Sequence, residues 1–149
     1  IRRPPRSTLD RSSAASDVYK RQGLDILTKV GGFEIGVLAG VFLAAAAGRR
    51  PVVVDGFISG AAALIAHAVD PDAAQSFIAS HQSVEPGHRI SLNHMGLEPL
   101  LDLQMRLGEG SGAALAMHIV EAAAKCLSDM TTFAEAGVSE KIEDDEVVS

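Results

Sequence analysis

Pro51-Val52-Val53-Val54-Asp55-Gly56 narrows the possible folds more than any other stretch of this 149-residue chain. It is short, β-branched and apolar up to a turn-forming Asp-Gly. Such a run predicts a strand buried on both faces, as in a parallel sheet covered by helices. The segments around it read as helices. In Phe33–Ala47, residues Ile35, Leu38, Phe42 and Ala46 recur at spacings of three and four, and Gly48 ends the pattern. Gly36 and Gly40 inside it imply close packing on another element. Leu24–Val30 is a short helix stopped by Gly31-Gly32, and Ser59–Val69 is a helix ended before Pro71. Ser76–Ser80 reads as a second buried strand. Pro86–Met95 is a helix with proline in its first turn, and Ala113–Leu127 is a long Ala-rich helix. Leu97–Leu107 is apolar but interrupted by Pro99, Asp102 and Arg106, and takes no clear type. Strand, helix, strand, helix predicts an α/β layered domain.

Composition excludes several function classes. Hydrophobic residues make up 47% of the chain, enough for a core, yet no run reaches the roughly 18 uncharged apolar residues of a membrane span. Cys126 is the single cysteine. It forbids a disulfide within the chain, fits a reducing cytoplasm, and in its Ala-rich pattern is expected to be a buried thiol. Charge is split along the chain. Residues 1–22 hold six Lys/Arg against two Asp/Glu, whereas residues 23–149 hold seven against seventeen. An acidic body with few aromatics is not a nucleic-acid binder. Residues 1–22 carry no apolar period and are expected to be disordered. Their run Ser12–Gln22 resembles translated sequencing-adaptor sequence. We therefore read 1–22 as non-native, with a transit peptide or a basic arm as the alternatives. Residues 140–149 form an acidic tail.

Ligands of layered α/β folds bind beyond the carboxyl ends of the strands. Three polar loops qualify here: Asp55-Gly56, His81–His88 and Arg106–Gly112. The last sets Glu109 between two glycines, beside Arg106 and at the mouth of the Ala-rich helix. A helix start presents N–H groups and a positive dipole end, which suit an anion such as phosphate, and a carboxylate on that loop can serve as a general base. The plainer alternative is that Gly110 or Ser111 caps the helix while Glu109 favours its dipole.

Five ordered motifs carry a family resemblance: Val30–Ile35, Pro51–Phe57, Ser83–His88, Gly96–Asp102 and Arg106–Ala113. Together they resemble the C-terminal part of nicotinate-nucleotide–dimethylbenzimidazole phosphoribosyltransferase, over about Leu24–Glu140. The resemblance implies a fragment, roughly the last third, of a Rossmann-like, mostly parallel sheet layered with helices, helix-rich toward its C-terminus. It assigns residues 23–139 to that part. It implies transfer of phosphoribose from nicotinate mononucleotide to 5,6-dimethylbenzimidazole, a step of cobalamin lower-ligand synthesis. The family's general base falls on Glu109. Its ribose-phosphate and nicotinate contacts fall on Asp55, Ser83, Arg106, Leu107 and Gly108. Members are cytoplasmic homodimers, with no cofactor, metal, nucleic acid or membrane implied.

Other residues weigh less. His81, His88 and His94 lack a carboxylate or cysteine at ligand spacing, and His67 and His118 are expected to be structural. Glu34 can charge the start of its helix. Ser111 is read as a helix cap. The alternative functions are a non-catalytic helical association module built on the Ala-rich helices Gly40–Ala47 and Ala113–Ala124, and a nucleotide-binding module.

Overall fold

The computed structural model describes residues 22–137. The readings of 1–22 as disordered, non-native sequence and of 140–149 as an acidic tail lie outside the described residues, save for Gln22, which is helical. The chain divides into two units, the first running to Met117 and the second starting at His118.

The first unit begins with helix α1 over residues 22–30. Then come α2 (Phe33–Ala47), β1 (Val52–Val54), α3 (Phe57–Val69), a 3-10 turn (Pro71–Ser76), β2 (Phe77–Ala79), β3 (His81–Ser83), α4 (Pro86–Met95) and β4 (Leu101–Met105). Helix α5 (Ser111–Asp129) starts in this unit. Local chemistry sets most of these limits. Gly32 and Gly48 bracket α2. Pro86 opens α4, and Gly96, left-handed at φ 67°, closes it. Asp70 ends α3 and caps the next turn by accepting from the N–H of Asp72 at 3.2 Å.

All strand pairing among the described residues is parallel. β1 pairs with β2 (Val52↔Phe77 through Val54↔Ala79), and β3 pairs with β4. Ser80 joins the two sheets. Its N–H donates to the Val54 carbonyl at 2.9 Å, and its carbonyl accepts from Leu101 N–H at 3.1 Å. Residues 77–83 are thus one extended path whose partner changes at Ser80, from β1 on one side to β4 on the other. The β3–β4 pairing slips between His81↔Leu101 and Ser83↔Met105, and Gln104 takes a positive φ of 54° there. This is a bulge, and it redirects the chain leaving β4.

The core lies among α2, α3, α4 and β1–β2. Ala62, Ala63 and Ala66 are fully buried on α3. Their small side chains let α2 and α4 come close. Phe42 and Phe77 fill the space between, with ring centroids 5.6 Å apart at 58°. The α/β class and the helix Phe33–Ala47 agree with the sequence reading. Several details do not. His81–Ser83 is a strand rather than loop, because its backbone pairs with β4. Within β1 only Val54 is fully buried. Gly40 packs on nothing, since a Cβ there would meet no atom within 4 Å, whereas one at Gly36 would touch Leu27. Among the described residues no helix is long and apolar enough to cross a membrane.

In the second unit the rest of α5 is largely exposed, Leu127 at 89%. Cys126 is exposed too, so the expected buried thiol is corrected. An alanine-rich pattern buries a side chain only where another element covers it.

Candidate active site

A cavity of about 740 Å³ opens in the first unit, within the range that holds small organic ligands. Asp55, Ser83, Arg106, Leu107, Gly108 and Glu109 all line it. These six come from three segments far apart in sequence: the end of β1, the end of β3 and the loop after β4. The three polar loops singled out from sequence therefore do build one pocket.

The Glu109 loop is an unusual piece of backbone. Gly108, Glu109 and Gly110 are consecutive left-handed residues, at φ 75°, 58° and 80°. Glycine adopts this region freely, but glutamate does so at a cost of about 1 kcal/mol or more. Glu109 stays exposed in this strained turn. The ion pairs among the described residues, Lys29–Asp25, Arg106–Glu85 and Lys125–Glu121, leave it out. A strained, uncompensated carboxylate at a cavity wall is a functional signal.

What caps α5 differs from the sequence reading. Ser111 does not accept from the first turn; its Oγ donates to the Gly108 carbonyl at 2.8 Å. The cap comes from Asp55, 55 residues and more away. Its Oδ2 accepts from Gly110 N–H at 3.1 Å and its Oδ1 from Ala113 N–H at 2.9 Å. A protein carboxylate thus holds the place an anionic ligand was expected to take. It satisfies two orphan donors and complements the dipole. Asp55 is also tied to the sheet, because its carbonyl accepts from Ser80 Oγ at 2.7 Å.

Ser83 is buried. Its Oγ accepts from Glu85 N–H at 3.3 Å, and its own hydroxyl proton is left for a ligand. Arg106 is open to solvent, its side chain 75% exposed. Its nearest anion is Glu85 at 3.6 Å, a loose pair worth little. The guanidinium is therefore available to a ligand phosphate.

His81 is only 1% exposed, yet it lines the cavity. Ser80 Oγ gives its proton to Asp55, so at 3.1 Å it accepts from His81 Nδ1. The ring lies against Gly112, where a Cβ would come within 2.7 Å of Cγ. His88 sits behind it, ring centroids 6.1 Å apart. His88 Nδ1 accepts from Ser83 N–H at 3.0 Å, which places the proton on Nε2, and Nε2 is buried without a partner. Burial, then the neighbouring His81, lower the His88 pKa below its usual value, with Asp55 acting the other way. His94 packs edge-on against His67 instead. Glu34 lies outside the cavity, in the first turn of α2. Gly56 and Glu85, which the sequence reading placed in two of the qualifying loops without giving either a role, also line the cavity. Glu85 could have been noticed as the carboxylate between Ser83 and Pro86.

The phosphoribosyltransferase family's profile matches residues 6–138. The nicotinate-nucleotide–dimethylbenzimidazole phosphoribosyltransferase of Dehalococcoides mccartyi is 57% identical over 136 residues, covering 91% of this chain and 39% of that enzyme. That of Chloroflexus aurantiacus is 65% identical over 120 residues, covering 80% and 34%. The crystal structure of the Thermus thermophilus enzyme superposes with a TM-score of 0.75 at 46% identity, over 80% of this chain and 36% of that one. The chain spans little more than a third of the length of these relatives.

Proposed function

The chain belongs to the nicotinate-nucleotide–dimethylbenzimidazole phosphoribosyltransferase family, and from that premise we propose that it carries the catalytic base and nucleotide contacts of this reaction. The substrates are nicotinate mononucleotide and 5,6-dimethylbenzimidazole, and the products are α-ribazole 5′-phosphate and nicotinate. Glu109 takes the N–H proton of the benzimidazole. The other ring nitrogen forms its bond to the anomeric carbon from the face opposite nicotinate. The old C–N bond breaks with its electron pair going to the nicotinate ring nitrogen. A carboxylate near this oxocarbenium-like centre also stabilises its positive charge. Arg106 faces the phosphate, Ser83 donates to the ribose, and Leu107 and Gly108 line the nucleotide's path. Asp55 borders the same pocket.

One observation carries this reading: six residues from three distant segments meet at one cavity, with the only strained carboxylate of the Gly108–Gly110 turn among them. We take residues 23–139 as the C-terminal part of the enzyme. Its completed form is a cytoplasmic homodimer in this reading. The single cysteine of these 149 residues fits a reducing compartment.

The test uses a chimera in which residues 23–149 replace the matching C-terminal segment of the Chloroflexus aurantiacus enzyme. Chromatography follows α-ribazole 5′-phosphate and nicotinate. The chimera is expected to form both, and Glu109→Gln to lose about 100-fold or more in kcat. Full activity of Glu109→Gln would remove Glu109 as the base. A chimera that binds the mononucleotide without releasing nicotinate would favour a binding module.

A further inference from the structure

We infer that Asp55 is a positioning residue for Glu109 and not a ligand of the nucleotide; this rests on the reading of Glu109 as the base. Both carboxylate oxygens of Asp55 are already engaged, one by Gly110 N–H at 3.1 Å and the other by Ala113 N–H at 2.9 Å. Gly110 N belongs to the peptide that follows Glu109. Holding that N–H fixes the plane of the Glu109–Gly110 peptide and, with it, the left-handed turn at φ 75°, 58° and 80°. The second bond anchors the clamp to the first turn of α5. At its other end Asp55 is fixed to the sheet through Ser80 Oγ, at 2.7 Å from its carbonyl. Ser80 itself bridges β1 and β4. A rigid path therefore runs from the sheet through Asp55 to the residue that carries the reacting carboxylate.

The arrangement also explains why glutamate tolerates its backbone. Charged acceptors make stronger hydrogen bonds than neutral ones, and two of them outweigh the strain of one left-handed residue. Without the clamp Glu109 relaxes out of the turn, and its carboxylate leaves the position from which it takes the proton. Binding of the nucleotide, which uses Arg106 and Ser83, changes little.

Two substitutions separate this role from a ligand role. Asp55→Asn keeps the shape but presents an amide N–H₂ to one of the two donors. Ala113→Pro leaves Asp55 intact and removes one donor, in the first turn of α5 where that N–H has no partner within the helix. In the 149-residue chain, amide exchange at Gly110, referenced to Val54 in β1, is expected to speed up about tenfold or more in both variants. In the chimera described above both variants should lower kcat about tenfold or more, with KM for nicotinate mononucleotide within about threefold of wild type. Asp55→Glu, which restores a carboxylate, should recover part of kcat. Wild-type kcat in Ala113→Pro, together with a raised KM in Asp55→Asn, would overturn the inference and make Asp55 a substrate ligand. Unchanged Gly110 exchange in Asp55→Asn would overturn it as well. Loss of the Glu109 reading shows separately, as full activity of Glu109→Gln beside an intact Gly110 exchange effect.

Discussion

Gly112→Ala sets local preference against tertiary packing, with opposite signs. Gly112 is the second residue of α5. In an isolated helix alanine is better there by up to about 1 kcal/mol. In the folded chain a Cβ at 112 would overlap Nδ1 of His81 and lie 2.5 Å from its Cε1 and 2.7 Å from its Cγ. These are ring atoms near the side chain's root, not a flexible tip. The ring is 1% exposed, held at one edge by Ser80 Oγ, and a Cβ on Gly56 would lie 3.3 Å from its Cε1. Ordinary contact begins at 3.4 Å, so ring or helix must shift by about 1.5 Å, and overpacking of that kind costs about 1–3 kcal/mol. Net of the helix gain, Gly112→Ala should destabilise by about 1–2 kcal/mol. The assay is urea unfolding followed by circular dichroism, on wild type, Gly112→Ala, His81→Ala and the double variant. With His81 truncated the overlap disappears, and Gly112→Ala should become neutral or stabilising by up to about 1 kcal/mol. If the single variant proves as stable as wild type, the packing argument fails. An equal cost in both backgrounds would clear His81 of causing it.

Three further outcomes are expected. Gly40→Ala, in the middle of α2 with open space around the new methyl, should raise the unfolding free energy by about 0.5–1 kcal/mol; a loss would mean that something packs on that face. Stability should fall as pH drops below about 6.5, through His88. Its folded pKa lies below its ordinary 6.5, so the unfolded chain takes up that proton first on acidification. The contribution is full above 6.5 and is lost as pH falls toward the folded value. His88→Gln should flatten that part of the urea-midpoint profile, and an unchanged slope would assign it elsewhere. Glu85→Gln should change stability by no more than about 0.5 kcal/mol, since the Arg106 pair is long and exposed; calorimetric unfolding reads this directly.

Much of the fold was legible because its signals are local. Pro86 and Gly96 delimit α4, Gly32 and Gly48 delimit α2, and each acts within a turn of the residue that carries it. The candidate site was legible in part for the same reason, as polar glycine-bearing loops at the ends of apolar runs. β4 was not legible. Its residues are mostly exposed, and their pairing is broken by a bulge at Gln104, so no period survives in the sequence.

The sequence by itself determined, to within two residues, where α2 to α5 start and stop, that β1 and β2 are apolar strands of a parallel sheet, and which residues can do chemistry. Only the tertiary structure decided what Asp55 and the glycines are for. Nothing in the sequence marks Asp55 as the cap of a helix beginning at Ser111, or tells Gly112, pressed against His81, from Gly40, facing open space. Caps from afar and close approaches depend on atoms separated by tens of residues. The chain brings them together only once β1, β3 and α5 have packed, and such contacts leave no periodicity to read.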